Sequence, residues 1–93
     1  MKLEKIIPGT AKKWTAIFNN DGKIKRTHFG AKGYTDYTLS HDKEQRDRYR
    51  KRHAKDLATN DPTAPGFLSY YILWGESTSI QANIASYKRK FNL

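Results

Sequence analysis

The chain has 93 residues, a hydrophobic share of 37% and a formal net charge of +9, and it contains no cysteine. This length suits one small domain, and the absence of cysteine excludes disulfide staples, thiol catalysis and cysteine-bound zinc. The longest apolar run is YYILW at residues 70–74. Because a membrane-spanning helix needs about 20 such residues, we expect no membrane span.

The positive charge is concentrated in the first two thirds of the chain, whereas the residues after 58 are nearly neutral and apolar. A basic surface of this kind attracts polyanions, which include nucleic acid, acidic protein patches and anionic lipid. We expect the basic part to meet a partner and the last third to supply most of the core.

The first elements predicted are an N-terminal arm over residues 1–11 and a β-hairpin with its following loop over residues 12–40. Residues 12–18 alternate, with Trp14, Ala16 and Phe18 on one face and Lys13, Thr15 and Ile17 on the other, which is typical of a strand. Asp21 and Gly22 come next, and an Asp-Gly pair between two alternating segments predicts a tight type I′ turn. Residues 23–29 then form the return strand.

Residues 41–93 are predicted to be helical, with loops between the helices. The first helix is expected from residue 41 to about residue 58, capped by Ser40, with Tyr49 and His53 on its inner side. Residues 67–74 are apolar on every side, which is typical of a buried helix or of a surface that meets a partner. The last helix carries an amphipathic stripe of Ile80, Ile84, Tyr87 and Phe91. The predicted fold class is α+β: a single domain in which a small antiparallel hairpin packs on two to three helices.

Two segments are distinctive when taken together: THFGAKGYTDYT at residues 27–38 and PGFLSYYILWG at residues 65–75. Joined by an arginine-rich helix that ends in KRH at residues 51–53, they resemble a family of uncharacterised small basic proteins of nucleocytoplasmic large DNA viruses. The resemblance covers about residues 12 to 90. It implies a viral origin and a virion component, but it carries no catalytic residue to this chain.

The sequence predicts no enzyme, no metal site and no cofactor. Its histidines are His28, His41 and His53, and none stands at the spacing of a metal-binding pair or of a nucleophile and its base. Gly30 and Gly33 enclose only two residues, which is too short for a phosphate-binding loop. His53 is expected to be half-buried beside a carboxylate or a carbonyl.

Candidate polyanion-binding residues lie on the predicted basic helix and around the hairpin: Arg48, Lys51, Arg52, Lys55, Lys23, Lys25, Arg26 and Lys32. They could follow a phosphate backbone or meet an acidic protein, and a solvated helix face is the plainer alternative. Tyr34 and Tyr37 beside Lys32 could stack on single-stranded bases. Pinning the hairpin to the helices is the interpretation we favour for these two tyrosines.

A candidate protein interface consists of Phe67, Tyr70, Tyr71 and Trp74. If the outer side of this segment stays exposed, it marks a contact surface. Burial as the central core helix is the alternative.

The expected function is that of a non-enzymatic structural protein of a large DNA virus particle, a minor capsid or other virion component that contacts other virion proteins. The alternative is a small basic protein that neutralises or organises packaged DNA or RNA. Either function would place the protein in the virion, and in the host cytoplasm or nucleus during infection.

Overall fold

An antiparallel three-stranded sheet forms one layer of the fold in a computed structural model that describes all residues from 1 to 93. Its strands are β1 (Lys2–Pro8), β2 (Lys12–Asn20) and β3 (Lys23–Ala31), in the order β1-β2-β3. The predicted hairpin is confirmed, since Asn20 pairs with Lys23. Both turn residues between them have positive φ, 53° at Asp21 and 89° at Gly22, as a type I′ turn requires.

Residues 1–11 do not form a separate arm, because most of them belong to strand β1. Leu3 pairs with Phe18 and Ile6 with Ala16, so the side chains of Leu3 and Ile6 join the buried face of β2. The backbone N–H of Leu3 also donates a hydrogen bond to the carbonyl of Leu93 at 3.1 Å. The hydrophobic face and this contact between the chain ends hold the segment on the sheet.

Four α-helices follow the sheet: α1 (Tyr37–Ser40), α2 (Lys43–His53), α3 (Pro65–Leu68) and α4 (Ile80–Lys90). The basic helix is shorter than predicted, since residues 54–59 form a 3₁₀ turn. It is also capped by Asp42 rather than Ser40, because the left-handed backbone of His41 separates it from α1. The side chain of Asp42 accepts the N–H of Gln45 at 3.1 Å.

The core lies between the sheet and the segment that follows α3. That segment, Ser69–Leu73, is a π-helical turn. The core consists of Leu3, Ala16, Phe18, Phe29, Phe67, Leu68, Ile72, Leu73, Trp74 and Tyr87. The α+β class is therefore confirmed, and the apolar last third supplies six of these ten residues.

Helix α4 presents its predicted stripe to the core, with Tyr87 fully buried and Ile84 only half-buried. Asn83 is also buried, and its side-chain amide donates to the carbonyls of Ile72 and Ser77, both at 2.8 Å. Its carbonyl oxygen accepts the N–H of Ser77 at 3.0 Å. Asn83 therefore fixes the loop between the π-helical turn and α4.

Candidate nucleic-acid interface

The outer side of α2 carries four bases that the fold does not use. Arg48, Lys51, Arg52 and Lys55 are exposed, and none of them forms an ion pair within the chain. The structure therefore brings together the half of the predicted polyanion-binding set that lies on α2 and its 3₁₀ extension. Their charges remain available to an external anion.

The other two arginines of α2 are structural. Arg46 is buried, its guanidinium lies 5.0 Å from the centre of the Tyr37 ring, and it pairs with Asp47 at 2.9 Å. Arg50 lies 4.5 Å from the ring centre of Tyr70. Its guanidinium also contacts the Glu76 carboxylate at 3.3 Å. Arg46 therefore holds α2 against α1, and Arg50 holds it against the π-helical turn. The periodicity of the sequence does not reveal these structural roles.

The predicted bases of the hairpin are divided among different surfaces. The ammonium group of Lys25 donates to the Thr63 hydroxyl at 2.8 Å and thereby ties β3 to the loop before α3. Lys23 lies beside the hairpin turn, and Arg26 projects from the opposite face of β3 to Lys25. Lys32 is exposed just after β3. The hairpin therefore does not present these four bases as one patch.

The predicted interface of residues 67–74 is mostly interior. Phe67 and Trp74 are buried core residues, so they are not available as a free docking surface. Tyr70 and Tyr71 are half-buried, with Arg50 over the first ring and Lys90 beside the second. The segment needs apolar residues on every side because the sheet, α2 and α4 all pack around it.

A cleft of about 420 Å³ opens between α2 and the end of the sheet distant from the hairpin turn. Its lining includes Lys13 and Gly30 from the strands, and Tyr34 and Asp36 from the loop after β3. The α2 side is formed by Gln45, Tyr49, Arg52 and His53, and the floor includes Ser69, Leu73 and Trp74. Because Arg52 both lines the cleft and belongs to the four exposed bases on the outer side of α2, the cleft lies next to those bases.

A buried ion pair fixes the loop that forms one wall of this cleft. The Lys13 ammonium group contacts Asp36 Oδ2 at 2.7 Å, and Asp36 is 2% exposed. The other oxygen of Asp36 accepts the backbone N–H of Thr38 at 2.9 Å and so caps α1. Since Lys13 neutralises this carboxylate, Asp36 does not oppose the approach of an anion.

Three stacked rings form the opposite wall. The Tyr49 ring lies 4.1 Å from that of His53 and 4.3 Å from that of Trp74, and both neighbours are nearly parallel to it. Because two rings cannot occupy the same face of Tyr49 at these distances, Tyr49 lies in the middle. Burial, reinforced by the nearby Asp56 charge, raises the pKa of Tyr49. His53 is held by Asp56, whose Oδ2 lies 2.9 Å from His53 Nδ1.

The two tyrosines after β3 have different positions. Tyr37 is half-buried beneath Arg46, as expected of a residue that pins the loop to the helices. Tyr34 is 74% exposed at the edge of the cleft. Its ring makes no aromatic or cation–π contact within the chain. Tyr34 is therefore accessible to an external ring.

Neither a membrane-crossing helix nor a metal-binding cluster is found. None of the helices has both the length and the apolar character needed to cross a bilayer. No group of three or more histidine, aspartate and glutamate side chains converges on one point. The nearest partner of the exposed His28 is the hydroxyl of Thr15, 2.8 Å from its Nδ1.

Comparison with known proteins gives one match, to a family of unknown function (DUF5754) over residues 7–53, half of the chain. No curated protein and no solved structure matches the chain. The matched region includes β2, β3, α1 and α2, and with them Lys13, Tyr34, Asp36 and Arg52. The chain belongs to this family of unknown function, DUF5754.

Proposed function

We propose that this protein is a non-enzymatic nucleic-acid-binding protein that contacts the phosphate backbone through the outer side of α2. The observation that carries the proposal is the set of four exposed bases without an ion-pair partner, Arg48, Lys51, Arg52 and Lys55. Arg46 and Arg50, which serve the fold, contact both a carboxylate and an aromatic ring, whereas these four side chains lie on the outer side of the helix and make neither contact. A row of free cations instead suits a polyanion.

The spacing of these bases also fits a phosphate backbone. Arg48 and Lys55 are seven residues apart along α2 and its 3₁₀ extension. At 1.5–2.0 Å per residue this is roughly 10–14 Å, about the distance over which a nucleic-acid strand presents two or three phosphates. Long flexible side chains can adjust to those positions.

The test is a salt titration of binding to a fluorescently labelled oligonucleotide, followed by anisotropy. The variant R48E/K51E/R52E reverses three charges on exposed side chains, so its fold should be retained, as measured by circular dichroism and thermal unfolding. We expect its affinity to fall at least about 100-fold near 50 mM salt, and the salt dependence to become shallower, because fewer counterions are released on binding.

The matched control is K2E/K5E/K23E, which changes the net charge by the same amount. Lys5 pairs with Ile17 in the middle of the sheet, while Lys2 and Lys23 lie at its hairpin-turn end, opposite Asn19 and Asn20. That end is roughly 23 Å along β2 from the cleft, at about 3.3 Å per residue. We expect the control to lose far less affinity. Equal losses in the two variants would contradict binding by α2, and no measurable binding by the unmodified protein would contradict the function.

A second candidate is the structural virion role that the viral resemblance implies, and one observation favours it. The face of the sheet turned away from the helices carries Ile7, Ile17 and Ile24, of which Ile7 is 37% and Ile24 is 49% exposed. Aliphatic side chains next to Arg26 suit a protein neighbour with an apolar and acidic surface.

Fractionation of purified particles separates the two candidates. A shell component should stay with emptied particles after the genome is released, and I7D/I24D should detach it. A nucleic-acid-binding protein should leave with the genome, and R48E/K51E/R52E should reduce that association.

A further inference from the structure

The cleft beside α2 contains ligand-binding groups that the fold leaves unused. Tyr34 is 74% exposed and contacts no other ring. Arg52 has no ion-pair partner. The side-chain amide of Gln45, which also lines the cleft, makes no hydrogen bond within the chain. The ring of Tyr34 can stack on a base, and the guanidinium of Arg52 can bind a phosphate. The amide of Gln45 can form hydrogen bonds with the edge of a base.

The opposite wall is an aromatic stack with one open end. Trp74 closes the inner end because it is buried in the core. At the outer end, His53 stacks on Tyr49 through one face, and no ring of the chain covers the other face. The stack is held in place at Asp56 and at the core, so a ring added to it would meet a preformed surface.

The size of the cleft limits what it can hold. A volume of about 420 Å³ lies at the lower end of the range for small-ligand sites, roughly 300–1,000 Å³. A cleft of this size suits a single nucleotide and is too small for a duplex. A base that enters it must therefore be unpaired.

We propose that the cleft is a binding site for an unpaired nucleobase, which stacks on the exposed ring of Tyr34 while Arg52 holds an adjacent phosphate, with the His53 stack as the opposite wall. This inference rests on the proposed function, because α2 brings the strand to the cleft. It adds a preference for single strands, which the bases of α2 alone do not provide. Lys13 contributes by neutralising Asp36, the buried carboxylate in the wall.

The test compares two labelled strands of about 12 nucleotides, a length within the range that small single-strand-binding domains cover. One is oligothymidine, and the other is an abasic strand with the same number of phosphates. We expect the unmodified protein to bind oligothymidine roughly 10-fold more tightly, since stacking of a base on an aromatic side chain contributes a factor of about 5 to 160.

Two variants then separate stacking from charge. Tyr34→Ala should lower the affinity for oligothymidine to that of the abasic strand and leave abasic binding unchanged, whereas Tyr34→Phe should keep the preference. Arg52→Ala should weaken binding to both strands alike. Ile24→Ala, which truncates an exposed side chain outside the cleft, is the control and should change neither affinity.

The outcomes distinguish this inference from the function on which it rests. Equal affinity of the unmodified protein for both strands would overturn the base site while leaving backbone binding by α2 intact. A preference that survives Tyr34→Ala at full strength would also overturn the proposed role of Tyr34. Absence of binding to either strand would contradict both proposals. Because Tyr34 is exposed, its substitution leaves the core intact, and circular dichroism verifies the fold.

Discussion

Replacing Asp36 by Asn tests whether the buried ion pair fixes the wall of the cleft. Asn and Asp are about equally effective as helix N-caps, so the bond to the N–H of Thr38 is retained in kind. The substitution therefore removes the charge next to Lys13, together with the oxygen that accepts from its ammonium group. Removing one partner of a buried ion pair costs about 3–5 kcal/mol. The Lys13 side chain keeps 15% exposure, so we expect a cost at or just below the lower limit of that range, about 2–3 kcal/mol of unfolding free energy.

Urea unfolding followed by tryptophan fluorescence measures this difference, because Trp74 is buried and Trp14 half-buried. Glu76→Gln is the control, since Glu76 is 84% exposed where it pairs with Arg50. It should cost less than about 1 kcal/mol. In a K13M/D36N double variant the unpaired ammonium is absent, and part of the lost stability should return. A cost for Asp36→Asn below about 0.5 kcal/mol would show that the pair is not desolvated and would refute this reasoning.

Three further predictions concern the turn, the α4 loop and alkaline pH. Gly22→Val should lower the unfolding free energy by roughly 1 kcal/mol or more, because Gly22 has φ 89°, and an unchanged thermal midpoint would contradict its role in the turn. Asn83→Ala leaves two carbonyls and one N–H without their partner, so the unfolding free energy measured in urea should fall by about 2–4 kcal/mol. Gln81→Ala, at an exposed position of the same helix, is the control and should change the unfolding free energy by less than about 0.5 kcal/mol. Burial raises the pKa of Tyr87 far above its ordinary value, so the folded state favours the neutral phenol. We therefore expect the unfolding free energy to be constant up to about pH 10 with respect to this group, and to fall as the pH rises further. Tyr87→Phe should make that alkaline decrease shallower, and an identical pH profile would contradict the assignment.

Local rules account for the parts of the fold that the sequence predicts. The turn at Asp21 and Gly22 depends on backbone conformations that few residue types adopt, and the strands on either side follow a period of two. Helix α4 follows a period of 3.6 around Tyr87. These features are decided within a few residues, so they can be predicted from a single sequence.

Strand β1 was missed because its pattern is interrupted. The register shifts between Leu3 and Lys5, and this irregularity breaks the alternation that would otherwise identify a strand. The Pro8-Gly9 pair was the available signal, since such a pair marks a turn and Pro is tolerated at the end of an edge strand. Applied together, these rules would have suggested a strand before the hairpin.

The cleft could not be predicted because its walls meet only through long-range contacts. Lys13 and Asp36 are 23 residues apart, and Tyr49 and Trp74 lie on separate elements. The same holds for Arg46, which stands in a run of bases yet is buried, with its guanidinium over the ring of Tyr37. Periodicity assigns a residue to a side of its helix, but only the tertiary fold shows which element covers that side.

The distribution of charge in α2 connects the fold with the proposed function. Arg46 and Arg50 are directed toward aromatic rings and carboxylates, so their charges stabilise the packing of the helix. Arg48 and Arg52 alternate with them along the chain but face solvent. The arginine-rich segment thus stabilises the fold on one side and leaves its charges free on the other, so net charge alone overstates what is available to a partner. The free cations lie next to the cleft because the same Tyr49 that anchors α2 to Trp74 also forms the cleft wall. A substitution that loosens that anchor should therefore disturb binding as well as stability, whereas reversal of the free charges should disturb binding alone.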